Sequence, residues 1–289
     1  MSSSFPVPII VPAPRSGNIG APSWLRYYGD GLGPIVNGNT PGTTSFGGEF
    51  WYSFFQTVAG YIATGATNIP MIIRCSGPMI IGGTMAHSVN VTANGGIVTL
   101  VNSWGGGAGG GGGGGTAAGS ATVAIGISGQ TALAAGSAGA ALGGNGGNGG
   151  GPLQAQYQRY FVNEMIPLVT QLSGVLPANS LGGQPGGAGG SGGPAGGRGG
   201  GLIILVAPSI SLTGVIDVSG GPGANSTGNN IGASGGGGGG VVLMAAQSYP
   251  VFTGTINVSG GAGGSNAGFT GAGNGGRGGD GWFRQFVIQ

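Results

Sequence analysis

The chain has 289 residues, of which 77 are glycine and 17 are proline, while only 4% are charged and 39% are hydrophobic. Disordered chains are usually poor in apolar residues and rich in charge, so this composition argues against ordinary disorder. A formal net charge of +2 also gives little support to nucleic-acid binding.

Residues 1–22 are predicted to be an extended arm because proline fixes φ and blocks both helices and central strands. The prolines are Pro6, Pro8, Pro12, Pro14 and Pro22. Between them lie the apolar residues that would line a docking surface, Phe5, Val7, Ile9, Ile10 and Val11. The pattern leaves two alternatives open, which are docking onto a partner chain and a frayed terminus.

Residues 23–102 form an aromatic-rich region that favours short β-strands separated by glycine-containing turns. The run Phe50-Trp51-Tyr52 with Phe54 and Phe55 is typical of such strands. We expect these aromatic side chains to belong to the core rather than to a ligand platform.

Residues 103–289 form a glycine-rich repeat region. The segment 203–221 reappears forty positions later as 243–261, and both end in Thr-Gly-x-Ile-Asp/Asn-Val-Ser-Gly-Gly. A looser copy runs through residues 71–96. Repeats of this length predict stacked units that bury a core only against each other. The sequence therefore predicts a mainly β fold of stacked short-strand repeats.

The glycine runs, such as residues 105–115 and 235–240, suit neither strand nor helix interiors. They are either flexible linkers or extended helices of the polyproline II type with three residues per turn. Because the runs recur between repeated strands, we expect ordered packing of bare glycine backbones against each other.

Residues 152–176 are predicted to be the one inserted α-helix, starting at Pro152 and kinked at Pro167. The final strand, residues 282–289, is expected to close the stack of repeats after the last glycine run.

The chain contains one histidine, one cysteine and five acidic residues, so we expect no catalytic residues, no cofactor and no metal ion. His87 is expected to be structural. Asp217 and its repeat equivalent Asn257 are expected to make a shared turn hydrogen bond. A glycan hydrolase would need paired carboxylates, for which Asp30 and Glu49 are the candidates.

Two loops occupy equivalent places in the close repeats and carry amide, hydroxyl and aromatic groups. Their candidate receptor-contact residues are Asn225, Ser226, Thr227, Asn229, Asn230, Ser265, Asn266, Phe269 and Thr270. The alternative is that these segments are merely tolerated loop tips without a binding role.

The runs Tyr28-Gly29-Asp30-Gly31 and Glu49-Phe50-Trp51-Tyr52, together with the Thr-Gly-x-Ile-x-Val-Ser-Gly-Gly repeats, resemble glycine-rich structural proteins of phages. The glycine runs are similar to those of the distal tail-fibre adhesins of T-even phages. The resemblance implies packed polyglycine helices that carry variable loops in contact with the host surface.

The first functional hypothesis is a non-enzymatic virion protein, either a capsid decoration, fibre or tail component or a receptor-binding tail-fibre adhesin. The absence of a recognisable secretion signal and of a membrane-spanning apolar run predicts assembly in the host cytoplasm and location in the virion. Expected partners are other virion proteins, a host surface glycan or protein, and copies of the same chain. The second hypothesis is a bacterial cell-surface structural protein.

Overall fold

The computed structural model describes residues 35–38, 42–46, 48–65, 71–89, 104–105, 181–182 and 193–287. The predicted N-terminal arm and the predicted helix over 152–176 lie outside the described residues, so both stay predictions.

Three parallel sheets contain most of the described strands. Sheet A consists of β1 (Ile35–Gly38), β4 (Phe54–Thr57), β7 (Met79–Ile81) and β14 (Ile210–Leu212). Sheet B consists of β2 (Gly42–Phe46), β5 (Tyr61–Gly65), β8 (Thr84–Ala86), β15 (Val215–Asp217) and β17 (Thr255–Asn257). Sheet C consists of β3 (Gly48–Tyr52), β6 (Met71–Cys75), β13 (Leu202–Val206), β16 (Val241–Ala246) and β18 (Trp282–Val287).

Two short pairs complete the described strands. β9 (Ser88–Val89) pairs antiparallel with β12 (Gly199–Gly200). β10 (Trp104–Gly105) pairs parallel with β11 (Leu181–Gly182). The described part of the chain is therefore mainly β, as the composition and repeats predict.

The chain visits sheets A, B and C in turn, so each round forms one three-sided coil of a parallel solenoid. The first coil is β1–β2–β3 and the second is β4–β5–β6. The third joins β7 and β8 to β13, and the fourth joins β14 and β15 to β16. The fifth begins at a bridge from Phe252 to Leu212 and continues through β17 and β18. Strands from both sequence regions, 23–102 and 103–289, thus share the same three sheets.

The core lies inside the coils, where side chains from equivalent strand positions stack in rows. In sheet C, Met71, Ile203 and Val242 form one inner row, and all three are buried in the core cluster. The aromatic residues Phe46 and Phe55 belong to the same cluster. The expectation that the aromatics belong to the core is correct for these residues, whereas Trp51 is 39% exposed.

The outer face of sheet C is buried as well. Ile204 and Leu243 alternate with the inward-facing residues of their strands, yet each is at most 2% exposed. Arg74 on this face is fully buried, and its guanidinium carbon lies 5.0 Å from the centre of the Trp51 ring. Burial on both faces explains why these strands are continuous apolar runs rather than alternating ones.

The forty-residue repeat is one residue out of register in its first strand. β13 pairs with β16 so that Ile203 lies opposite Val242, an offset of 39 positions, while Val215 lies opposite Thr255 at an offset of 40. The sequence alignment, which places Ile203 opposite Leu243, is therefore wrong for this strand. A one-residue shift exchanges the two faces of a strand, and here it places Val242 in the core and Leu243 on the outer face.

The predicted C-terminal strand is confirmed for Trp282–Val287, which pairs with β16 along its whole length. It is the edge strand of sheet C among the described residues.

Candidate binding surface at the glycine-rich tips

Long connections leave the last three coils at one corner, between sheet B and sheet C. The connections in the fourth and fifth coils span residues 218–240 and 258–281. Each has an outgoing segment (218–224 and 258–264), a tip loop (225–232 and 265–272) and a returning segment (233–240 and 273–281). The returning segment of the third coil is 193–201. These five outgoing and returning pieces are called the glycine segments below.

An Asx turn starts each outgoing segment. The Oδ1 atom of Asp217 accepts a hydrogen bond from the N–H of Ser219 at 2.9 Å, and Asn257 Oδ1 accepts one from Ser259 at 3.2 Å. Asp217 and Asn257 therefore make the equivalent turn bonds that their repeat positions predict.

Backbone hydrogen bonds between the glycine segments recur at every third residue. Those from the fourth coil to the fifth run from Ala233 to Gly273, Gly236 to Gly276 and Gly239 to Gly279, each at 2.9 Å. Those within the fourth coil run from Ser234 to Ala224, Gly237 to Gly221 and Gly240 to Val218, at 2.7 to 3.0 Å. Every residue from 233 to 240 is buried. The atoms that lie nearest to a Cβ built on Gly236, Gly237, Gly239 or Gly240 are all backbone atoms of other residues in the glycine segments or of Val258.

Glycine is required in these segments because their backbones approach too closely for a side chain. A Cβ on Gly237 would lie 1.9 Å from the carbonyl oxygen of Arg198, and one on Gly239 would lie 1.8 Å from that of Val258. Real Cβ atoms essentially never come within 3.0 Å of such a neighbour. The same crowding restricts the axis of collagen to glycine.

In the last returning segment, every third residue faces solvent and carries a side chain. These exposed positions are Asn274, Arg277 and Asp280. Arg277 and Asp280 form an ion pair at 2.5 Å with both side chains about half exposed, so it contributes little to stability. In the outgoing segments the corresponding exposed residues are Pro222 and Ala262.

The two tip loops lie side by side at the far end of the glycine segments. Asn225 Oδ1 accepts a hydrogen bond from the backbone N–H of Ser265 at 2.9 Å. Asn229 Oδ1 accepts one from the N–H of Thr270 at 3.1 Å. These bonds between the two loops fix their relative position. They use the amide oxygen of each asparagine and not its amide nitrogen.

Within the loops, polar side chains also hold the backbone. Ser226 is buried and its hydroxyl donates to the carbonyl of Ile231 at 2.7 Å. Asn266 Oδ1 accepts from the N–H of Gly268, where the chain turns through positive φ. Asn230 and Ala267 also have positive φ, at 63° and 53°. Asparagine adopts this conformation readily, whereas alanine rarely does, so the backbone at Ala267 is held by its surroundings.

The structure therefore brings all nine predicted contact residues into one region, but with different accessibility. The exposed ones are Asn225, Thr227, Asn229, Asn230, Ser265 and Thr270. Asn266 and Phe269 are half-buried, and Ser226 faces inward. Sequence reasoning missed Asn274, which is exposed beside the loops and whose Oδ1 accepts from the N–H of Asn266 at 2.6 Å. The three-residue spacing of Asn274, Arg277 and Asp280 is the signal that identifies it.

His87 lies at the corner where the third coil leaves the solenoid, and it is 4% exposed. The ring is enclosed by two glycines, since a Cβ on Gly65 or on Gly201 would overlap it. Its backbone N–H donates to the carbonyl of Asp217 at 3.1 Å. This position agrees with a packing role for the side chain.

Cys75 is a buried free thiol of the core. Burial raises its pKa from 9.0 to about 12, and a backbone hydrogen bond with Gly77 acts in the opposite direction. The thiol is thus held in its unreactive protonated form at neutral pH.

Among the described residues, no three His, Cys, Asp or Glu side chains come together as metal ligands. Asp30, one of the two candidate glycosidase carboxylates, lies outside these residues. No helix within the described ranges is long and apolar enough to cross a membrane.

Comparison of the chain with protein-family models, with curated proteins and with solved structures finds no match.

Proposed function

We propose that this chain is a non-enzymatic structural protein of a phage virion, a capsid decoration, fibre or tail component whose tip loops contact the host surface. In this proposal the glycine segments are polyglycine II helices that project the loops from the solenoid. No cofactor takes part. A receptor-binding adhesin proper and a bacterial cell-surface protein are the alternatives.

The observation that carries the proposal is the pairing of two exposed loops at the end of hydrogen-bonded glycine segments. Loops that merely connect strands need no such support, whereas a binding surface benefits from a backbone fixed before contact. The three-residue spacing of hydrogen bonds and the exclusion of Cβ atoms both support a polyglycine II arrangement.

The chemistry of the loops favours a neutral, polar receptor. Residues 225–232 and 265–272 contain no charged side chain, so attraction to a phosphate or carboxylate has no counterpart here. Exposed hydroxyl and amide groups such as Thr227, Thr270 and Asn229 suit hydrogen bonding to the hydroxyl groups of a glycan or to a protein backbone.

Immunogold electron microscopy of purified particles tests the location. Label at fibre or tail tips supports host contact, and uniform label over the capsid supports a decoration role. Label found only on cell envelopes would overturn the virion proposal and favour the cell-surface protein.

A matched pair of substitutions tests the tip loops. Thr227→Arg places a long charged side chain in the tip region, whereas Thr253→Arg makes the same change at an exposed position of the solenoid. We expect Thr227→Arg to lower binding to host cells about tenfold, the usual effect of losing roughly 1.4 kcal/mol at an interface, and Thr253→Arg to leave it unchanged. Equal binding by both variants would refute the receptor contact.

A further inference from the structure

The fifth coil leaves apolar core residues uncovered at the C-terminal end of the solenoid. Val287 is 42% exposed and Phe252 is 36% exposed, although their partners Ala246 and Leu212 are fully buried. Phe283 is half-buried against the same core. No described strand lies beyond β17 or β18 in their sheets. Within the described part of the chain, the core rows therefore end at an open surface.

At this edge, the face of the sheet on which a side chain lies determines whether the backbone N–H and C=O groups of that residue point to the previous coil or away from it. Inward-facing residues of the solenoid donate to the next coil, as Val218 does to Asn257 at 2.9 Å and Leu212 does to Val251 at 2.8 Å. Outward-facing residues donate to the previous coil, as Trp282 does to Gly240. The inward-facing residues of β18, which are Phe283, Gln285 and Val287, consequently point their N–H and C=O groups away from β16.

The N-terminal arm has a sequence that matches this edge. In an extended strand, side chains and hydrogen-bonding groups both alternate with period two, so odd-numbered residues share one face and one edge. The odd positions of the arm are apolar and retain their N–H groups: Phe5, Val7, Ile9 and Val11. The even positions, apart from Ile10, are proline and have none: Pro6, Pro8, Pro12 and Pro14. The arm can thus pair as a strand along one edge only.

We propose that the C-terminal edge of the solenoid binds residues 5–13 of a second copy of this chain, added antiparallel to β18. In the parallel strands of the solenoid, the N–H groups of inward-facing residues point to the next coil. In an antiparallel strand whose odd-numbered side chains face inward, the N–H groups of these odd-numbered residues point back at β18. The odd-numbered apolar residues then cover Phe283 and Val287. The prolines form the new outer edge, where the missing N–H groups prevent addition of a further strand.

At the other end of the solenoid, the edge strand β2 matches the arm less well. The edge strand β2 is exposed over Gly42, Thr43, Thr44 and Ser45, which offer little apolar surface. The chain enters the first coil at that end, about four strand spacings or roughly 19 Å from β18. The arm of a copy placed end-on is therefore presented directly to the uncovered edge, and the contact is heterologous and joins copies head to tail.

Ile9→Pro and Ile10→Pro form a matched pair of full-length variants. Ile9→Pro removes an N–H from the pairing edge, whereas Ile10→Pro removes one from the edge that prolines already occupy. Sedimentation velocity over a concentration series should show association of the wild-type chain, unchanged association of Ile10→Pro, and a Kd about tenfold higher for Ile9→Pro. Equal effects of both substitutions, or a wild-type chain that stays monomeric at all concentrations, would overturn the proposal.

Crosslinking identifies the source of the arm. One chain carries Ser4→Cys and a second, differently tagged chain carries Arg284→Cys; buried Cys75 does not compete. A bifunctional maleimide should join the two tags in the mixture. If crosslinks form only within single chains that carry both substitutions, the arm docks on its own solenoid and the contact between copies is refuted. If none form in either case, docking at β18 is refuted.

Discussion

Gly237→Ala tests the packing of the glycine segments directly. The added Cβ would lie 1.9 Å from the carbonyl oxygen of Arg198 and 2.4 Å from the carbonyl carbon. Relief of this overlap must separate the two segments by about 1 Å. The shift breaks or weakens two backbone hydrogen bonds of Gly237. Its N–H donates to the carbonyl oxygen of Gly221 at 2.9 Å, and its carbonyl oxygen accepts from the N–H of Gly261 at 2.8 Å.

The cost follows from these two effects. Overpacking of a closely packed site costs about 1–3 kcal/mol, and each lost backbone hydrogen bond costs about 1 kcal/mol. We therefore expect the free energy of unfolding to fall by about 3–5 kcal/mol. For a domain of this size the melting temperature should fall by about 10 °C.

The assay is urea unfolding followed by tryptophan fluorescence, with Gly228→Ala as the control. A Cβ on Gly228 meets only the Ile231 side chain, at an ordinary 3.5 Å. The control should be as stable as the wild type or more stable by up to about 1 kcal/mol, because alanine restricts the unfolded chain. If Gly237→Ala is within 1 kcal/mol of its control, the glycine segments are not packed as described.

Two further predictions concern the solenoid. Truncation after Gly281 removes β18 and uncovers β16, so the melting temperature should fall by more than 10 °C, since several large apolar side chains lose their cover; an unchanged melting temperature would show that β18 is dispensable. The raised pKa of Cys75 makes its protonated form the one that stabilises the fold, so this contribution is complete below pH 9 and is lost towards pH 12. The difference in stability between wild type and Cys75→Ala should accordingly shrink over that range by up to about 1.4 kcal/mol per pH unit, and a constant difference would contradict a buried thiol.

Local patterns in the sequence were sufficient to predict β-strands but not their partners. The apolar runs at residues 203–206 and 282–287 identify two strands of sheet C. The pairing of β6 with β13 joins residues separated by more than a hundred positions. The looser repeat at residues 71–96 relates the two segments, but hydrophobic periodicity does not specify which strands pair or in which order. The three-sided winding therefore emerged only from the structure.

The sequence also did not predict that the outer face of sheet C is buried. Arg74 interrupts an apolar run, and a lone arginine in a strand normally indicates a solvent-facing position. In the structure it is fully buried beside Trp51. Charge alone could not reveal that this face of the sheet is covered.

The tip loops were located correctly because their repeat positions are equivalent. Their direct contact was not predictable, since it depends on the stacking of the fourth and fifth coils. Asn274 was missed because a single asparagine among glycines has no local signature until the three-residue spacing is known.

The common corner from which the connections leave has a consequence for how such a chain can vary in length. Each outgoing segment and its returning segment meet their neighbours at every third residue, so three residues added to both advance a tip by about 9 Å without changing which residues face outward. Additions of one or two residues would instead rotate side chains into the crowded backbone interface. The reach of the tips is thus adjustable in discrete steps, while the three sheets below remain the same.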